Sequence, residues 1–130
     1  MTFVDTNIFL RFLLNDVSNQ YRQAKQLFLD GAGGKIKLIS STIVFFEMYW
    51  VLRSYYGKNK ASLLATLRKI LAMNFVVFEE RLVLYDAFVL FEKSAFRLED
   101  CYNLVFAKKR EVKAFKTFDV KLTRAFEKNP

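Results

Sequence analysis

The sequence TFVDTNIFL, residues Thr2–Leu10, decides the fold class. It opens with a short apolar run that stops at Asp5, and after Asp5 the apolar residues return at helical spacing. This pattern predicts a strand, an acid and a helix in succession. Ligands of α/β sheets bind in the crevice beyond the carboxyl ends of the strands. We therefore expect Asp5 to lie at a functional edge of a sheet.

The rest of the chain continues this alternation of strands and helices. Further strands are predicted for three short apolar segments, 35–40, 75–78 and 112–118. Helices are predicted where apolar residues recur at helical spacing, at 8–14, 17–30, 43–52, 59–73, 80–96, 100–110 and from 119 onward. Such alternation implies a parallel sheet with helices on both faces. The predicted fold class is α/β, a three-layer α/β/α sandwich, with residues 1–130 forming a single domain.

A glycine cluster, Gly31-Ala32-Gly33-Gly34, precedes Lys35 and looks at first like a phosphate-binding loop. Ile36 stands where such a loop needs Ser or Thr, and the first glycine is misplaced. The cluster is therefore interpreted as a helix C-cap followed by a turn.

Composition indicates a globular protein. With 53% hydrophobic and 17% aromatic residues, a chain of 130 residues can bury a substantial core. Its apolar runs are interrupted by charges well before the roughly 18 residues of a membrane span, and the first residues lack a basic leader with a cleavage site. These features predict a cytoplasmic protein that does not enter the membrane.

The ionisable residues limit the chemistry. The chain has no histidine, which excludes an imidazole base and the usual zinc ligand. It has a single cysteine, Cys101, which excludes an internal disulfide. Catalysis would therefore use carboxylates. Lys and Arg number 21 against 13 Asp and Glu, a net charge of +8 that favours a polyanionic partner. Charge alone is equally compatible with non-specific binding of nucleic acid.

Four acids follow, or lie just beyond, apolar segments: Asp5, Glu47, Asp100 and Asp119. The three aspartates fit an ordinary role as helix N-caps. In a parallel sheet, however, helices begin just beyond the strand ends, so caps and a ligand site share one edge. Both interpretations remain open for these three residues.

Glu47 is harder to explain structurally. The segment 43–52 is apolar all round, which predicts a buried helix, and Glu47 is its only charge. Ile43, Trp50 and Val51 lie on the same helical face. A buried, unpaired carboxylate costs several kcal/mol, so Glu47 is expected to be paired, protonated or bound to a metal. An ion pair with Arg53 is disfavoured because residues six apart are not helical neighbours.

Four clustered carboxylates would repel one another and so require counter-charge. Mg²⁺ and Mn²⁺ take oxygen ligands and bind phosphate oxygens, which suits a site without His or Cys. Such a metal acidifies an attacking water and neutralises charge in an in-line displacement at phosphorus. Polar residues beside the acids could orient them or the water: Thr6, Asn7, Asn103 and Thr117.

Four stretches together resemble the PIN-domain ribonucleases, particularly the VapC-type toxins of toxin-antitoxin pairs: 3–7, 41–47, 99–101 and 117–122. The resemblance implies Mg²⁺- or Mn²⁺-dependent endonucleolytic cleavage of RNA. It also implies an α/β/α sandwich around a four- or five-stranded parallel sheet, in which a fifth strand would follow the last helix, where this sequence ends at Glu127-Lys128-Asn129-Pro130.

By the same resemblance, Asp5 and Asp100 would be direct metal ligands, with Glu47 and Asp119 completing the acidic pocket. Glu99 adjoins Asp100, and both the helix start and the family pattern favour Asp100 as the inward carboxylate. The implied partners are an RNA substrate, a cognate antitoxin whose C-terminal segment blocks the site, and a second copy of the chain in a homodimer.

Positive and aromatic residues suggest how RNA or protein would be bound. Arg11, Lys116 and Lys121 are expected to hold RNA phosphates. The chain has 15 Phe, six Tyr and one Trp, more than one core would use, which favours a protein interface. A well-filled core and an RNA-stacking platform are the alternatives.

Two other functions are compatible with parts of the sequence. One is a non-catalytic RNA- or partner-binding module on the same fold, for which the charge and the aromatic residues suffice. The other is a phosphatase of the haloacid dehalogenase type, which also begins with an aspartate after a strand. That class wants a second acid two residues later, where this chain has Asn7.

Overall fold

A computed structural model describes residues 1–128. The helices and strands, in chain order, are β1 (Thr2–Phe3), α1 (Thr6–Leu14), α2 (Ser18–Ala32), β2 (Leu38–Ser40), α3 (Thr42–Ser54), α4 (Lys60–Leu71), β3 (Val76–Phe78), α5 (Arg81–Lys93), α6 (Leu98–Lys109) and α7 (Val120–Lys128). The chain divides into two compact units, the first covering Met1–Arg81 and the second beginning at Leu82. Among the described residues, none of the helices combines the length and apolar character that crossing a membrane requires.

The first unit is built on a parallel sheet with the strand order β1-β2-β3. Thr2 lies opposite Leu38, and Leu38 lies opposite Val76. The ladder continues past β1, because the amide of Val4 donates to the carbonyl of Ile39 at 2.8 Å. The predicted α/β class and parallel sheet are confirmed, with three strands in the described residues.

Aromatic side chains fill much of the first unit's core. Phe28 of α2 is the centre of a cluster, with its ring 5.4 Å from that of Phe9, 5.0 Å from Phe12 and 6.0 Å from Phe75. Phe45 of α3 is also completely buried. Many of the aromatic residues therefore serve the core, which was one of the alternatives for their abundance.

The second unit contains α6, α7 and nearly all of α5. Its buried side chains come from each of these helices: Leu84, Ala87, Phe88, Phe91, Leu98, Cys101, Leu104, Ala107 and Leu122. Helices α6 and α7 contact each other. Cys101 is buried, in agreement with its apolar neighbours along α6.

The predicted fourth strand at 112–118 is wrong. After α6 ends, Glu111 adopts a positive φ of 55°, and the following residues form neither strand nor helix. Val112 and Phe118, the apolar ends of the segment, are both exposed. The segment therefore lacks the buried face that would hold a strand against a sheet. A fifth strand was expected only beyond the last helix, and residues 129–130 lie outside the described part of the chain.

The glycine cluster is only partly a turn. Gly33 is the C-cap of α2 and Gly34 has a φ of 78°, as predicted for a C-cap and turn. Gly31, in contrast, lies inside the last turn of α2 and is buried. A Cβ atom at Gly31 would lie 2.4 Å from Cδ1 of Leu38 and 2.9 Å from its Cγ. Glycine is needed here because α2 packs directly against β2.

We predict that Gly31→Ala destabilises the protein by about 1–3 kcal/mol through overpacking, even though alanine is the better helix former. Urea denaturation measures the change. A double-mutant cycle with Leu38→Ala identifies its cause, because shortening Leu38 should relieve the clash and make the two effects strongly non-additive. Additive effects, or a Gly31→Ala variant as stable as the parent, would contradict the proposed packing.

Candidate functional site

Asp5 is the N-cap of α1, directly after the first strand. Its Oδ1 accepts a hydrogen bond from the amide of Thr6 at 2.8 Å, so the predicted cap is present. The side chain remains exposed to solvent. Capping thus fixes the carboxylate at the carboxyl end of the sheet while leaving it accessible to a cation.

Glu47 lies on α3, which begins at its N-cap Ser41, whose Oγ accepts from the amide of Val44 at 3.2 Å. The prediction that this helix is buried all round is wrong. The face that carries Glu47 is the open one, since Ile43 is 62% exposed and Trp50 is 40% exposed. The opposite face of α3 packs against the core and includes the buried residues Phe45 and Met48. Glu47 itself is half-buried.

Thr6 links these two acids. It is one of the few buried polar residues, 7% exposed, and its hydroxyl donates to Oε1 of Glu47 at 3.3 Å while its amide donates to Asp5. We call Asp5 and Glu47 the first acidic pair. The orienting role that the sequence suggested for Thr6 therefore has a geometric basis.

A cleft of about 420 Å³ lies at the same edge of the sheet. Its lining includes Phe3, Ile43 and two acids that directly follow β3, Glu79 and Glu80. The hydroxyl of Thr42 donates to Oε1 of Glu80 at 2.6 Å, which ties the end of β3 to the start of α3. Glu79 and Glu80 follow the strand predicted at 75–78, and this position could have indicated that they border a cleft at the edge of the sheet.

The acids of the second unit lie at two helix starts. Glu99 and Asp100 occupy the first turn of α6, where the helix dipole favours carboxylates, and both are half-buried. Asp100 is not the predicted N-cap, because Arg97 holds that position. Asp119 does cap α7, since its Oδ1 accepts from the amides of Lys121 at 2.9 Å and Leu122 at 3.3 Å.

Asp100 and Asp119 are brought within electrostatic reach of each other. Burial raises the pKa of Asp100, and the negative charges of Glu99 and Asp119 raise it further. Arg97 acts in the opposite direction, through its charge and a backbone hydrogen bond. We call Glu99, Asp100 and Asp119 the second acidic group. The sequence analysis missed Arg97. Its position three residues before Asp100, at a predicted helix start, could have indicated that it would lie near this carboxylate.

The donor atoms suit a hard divalent cation. All four predicted site residues offer carboxylate oxygens, and excess negative charge surrounds Asp100. Among residues 1–128, however, no three His, Cys, Asp or Glu side chains are grouped so that they could hold a metal ion. Mg²⁺ commonly uses only one or two protein carboxylates and keeps several waters. The residues present therefore fit a magnesium-like ion with few protein ligands.

The basic residues predicted to bind RNA differ in their availability. The guanidinium of Arg11 is held by Asp16, with Nη1 3.0 Å from Oδ1, and the hydrogen bonds that it donates to Asp16 and Tyr56 raise the pKa of Arg11. Lys116 and Lys121 are exposed on either side of Asp119. Arg11 is therefore engaged within the protein, whereas the side chains of Lys116 and Lys121 are open to solvent.

The chain was compared with known families and proteins. The sequence pattern of the PIN domain family matches residues 2–127. The match spans both units and includes the first acidic pair and the second acidic group. Neither the curated proteins nor the solved structures yielded a match.

The raised pKa of Asp100 predicts a stability effect. Because the folded state holds this proton more tightly than the unfolded chain, stability falls as pH rises from the unfolded pKa, about 4, to the folded one. Asp100→Asn should therefore be slightly more stable than the parent at neutral pH without metal, and the gain should vanish below about pH 4. Thermal denaturation in EDTA across this range measures it, with the exposed Glu111→Gln as control. An Asp100→Asn variant less stable than the parent at pH 7 would refute it.

Proposed function

The chain belongs to the PIN domain family, whose members are in general metal-dependent nucleases, and from this premise we propose that it is a Mg²⁺- or Mn²⁺-dependent endoribonuclease. The observation that carries the proposal is the first acidic pair. A buried threonine holds two carboxylates together at the carboxyl end of the sheet, in a chain without histidine. Like charges held in this way are costly unless a cation binds them.

We assign the four carboxylates to this reaction. Asp5 and Asp100 are proposed as direct metal ligands, and Glu47 and Asp119 as the acids that complete the site. Asp5 is oriented by the Thr6 amide and Asp119 by two amides of α7, so neither depends on a metal for its position. Glu47 is held at Oε1 by Thr6 and is suited to accept a proton from water.

A bound Mg²⁺ or Mn²⁺ would supply the Lewis acidity that activates water and neutralises charge at the phosphate. The chain's own contribution is to orient the carboxylates and to attract the substrate. RNA is favoured as substrate by the net charge of +8 and by Lys116 and Lys121 beside Asp119. Binding through these lysines should weaken steeply with salt.

The biological role is part of the same proposal. The VapC-like pattern of the four acids supports a toxin of a toxin-antitoxin pair, acting in the cytoplasm and inhibited by a cognate antitoxin protein. Exposed apolar side chains on the first unit, such as Ile43 and Leu29, offer surface for that partner or for a homodimer. Co-purification with the product of an adjacent small reading frame would test the antitoxin, and light scattering would test the dimer.

We predict that Asp5→Asn lowers RNA cleavage at least about 100-fold, because a metal ligand contributes several kcal/mol of charge stabilisation in the transition state. The assay is cleavage of end-labelled tRNA and ribosomal RNA with Mg²⁺ or Mn²⁺. EDTA should abolish the products, and Asp30→Asn, a carboxylate change elsewhere in the first unit, should not. Unchanged cleavage by Asp5→Asn would overturn the site, whereas RNA binding without products would support a non-catalytic binding module.

A second prediction concerns Thr6. Thr6→Val removes the hydroxyl that holds Glu47, but it keeps the shape of the side chain and the backbone amide that donates to Asp5. The value of kcat should therefore fall about 10- to 100-fold with little change in KM. Thr6→Ser restores the hydroxyl and should restore most of the activity. Melting temperatures of both variants check that the fold is intact. Equal kcat values for Thr6→Val and the parent would contradict this role.

A further inference from the structure

Phe118 stands directly before Asp119 and is completely exposed, at 107% of the reference value for its residue type. A single apolar side chain on a protein surface needs no explanation by itself. Three further features of its surroundings distinguish this ring: its fixed backbone, the charge around it and its position beside a candidate site residue.

The backbone on both sides of Phe118 is fixed by hydrogen bonds. The amide of Asp119 donates to Oγ1 of Thr117 at 3.0 Å, and Oδ1 of Asp119 accepts from the first turn of α7. Leu122, which also donates to that oxygen, is buried and anchors the helix. The backbone that carries the ring is therefore held at a defined place, so a ligand that stacks on the ring has little backbone ordering entropy to overcome.

The surroundings of the ring are strongly basic. Residues 108–128 contain eight Lys and Arg against three Asp and Glu. Lys113, Lys116, Lys121 and Arg124 in this stretch are exposed. Protein interfaces are depleted in lysine, whereas single-stranded nucleic acid is bound by an aromatic ring set in a positively charged surface. The charge therefore favours a nucleic acid over an apolar protein surface as the ligand of Phe118.

We propose that Phe118 stacks on an unpaired base of RNA, with Lys116 and Lys121 contacting the adjacent phosphates. This inference rests on the proposed ribonuclease function for its choice of RNA as ligand. It deepens that function, because bases inside an A-form duplex are already stacked and present no free face to the ring. The base on the ring then belongs to a single-stranded segment of the RNA, such as a loop or an end.

The test measures binding rather than cleavage. A fluorescent single-stranded RNA of about 12 nucleotides, within the range of such sites, is titrated in EDTA against proteins that also carry Asp5→Asn. Phe118→Ala should weaken binding about 5- to 150-fold, the equivalent of stacking one base. Phe118→Tyr should keep the affinity and Phe118→Leu should lose most of it. The RNA duplex of the same sequence should bind equally to all of these variants.

Tyr55→Ala is the matched control, because Tyr55 is also highly exposed, at 81%, but its ring packs edge-on against Tyr56 in the first unit. It should leave RNA binding unchanged. Melting curves of the Phe118 variants should match the parent, since no buried contact is lost.

An abasic scan of the same RNA identifies the stacked base. One abasic position should abolish the difference between the parent and Phe118→Ala, and the others should leave it intact. The proposal is overturned if Phe118→Ala binds RNA like the parent, which would assign the ring to a protein contact, or if Phe118→Leu keeps full affinity. If the parent protein binds RNA through Phe118 but never cleaves it, the proposed nuclease function is wrong and the stacking site is still supported.

Discussion

The architecture of the first unit depends on a buried hydrogen bond from the hydroxyl of Ser40 to the carbonyl of Val4, 2.7 Å long. Strand β1 has only two residues, so its own ladder cannot define where the following helix begins. The Ser40–Val4 bond, with the Val4 amide on Ile39, extends the register to the last residue before Asp5. The residues that come next, Asp5 and Ser41, are the caps of α1 and α3. Because both helices start from paired strand ends, Thr6 reaches Glu47.

This arrangement places an electrostatic cost at the candidate site. Capping satisfies backbone amides, but it also gathers carboxylates where they repel one another. The pKa of Asp100 is raised mainly by burial, and repulsion from Glu99 and Asp119 raises it further, even though the chain as a whole is strongly basic. Shifted carboxylates of this kind are typical of functional sites, which are often retained at the expense of stability.

Local patterns predicted local structure well. The strand-acid-helix succession at Thr2–Leu10 and the caps at Asp5 and Asp119 follow from neighbouring residues, and the sequence contains them. Features that depend on distant contacts were missed. Periodicity identified the face of α3 that carries Glu47 but not that this face stays open. The glycine cluster indicated a turn, whereas the reason for Gly31 is Leu38 of the adjoining strand. The apolar residues at 112–118 suggested a strand, but Val112 and Phe118 are exposed.

The start of α7 joins two tasks in one local structure. The carboxylate of Asp119 is oriented by the amides that begin the helix carrying Lys121, while the amide of Asp119 donates to Thr117 on the other side of Phe118. A group positioned by backbone amides does not need a ligand to order it, so its alignment costs nothing at the moment of binding. Phe118 itself donates and accepts none of these side-chain bonds. Under the proposed function, residue 118 can therefore vary and change which RNA is held while the neighbouring acid stays aligned, which would separate the selection of substrate from the chemistry of cleavage.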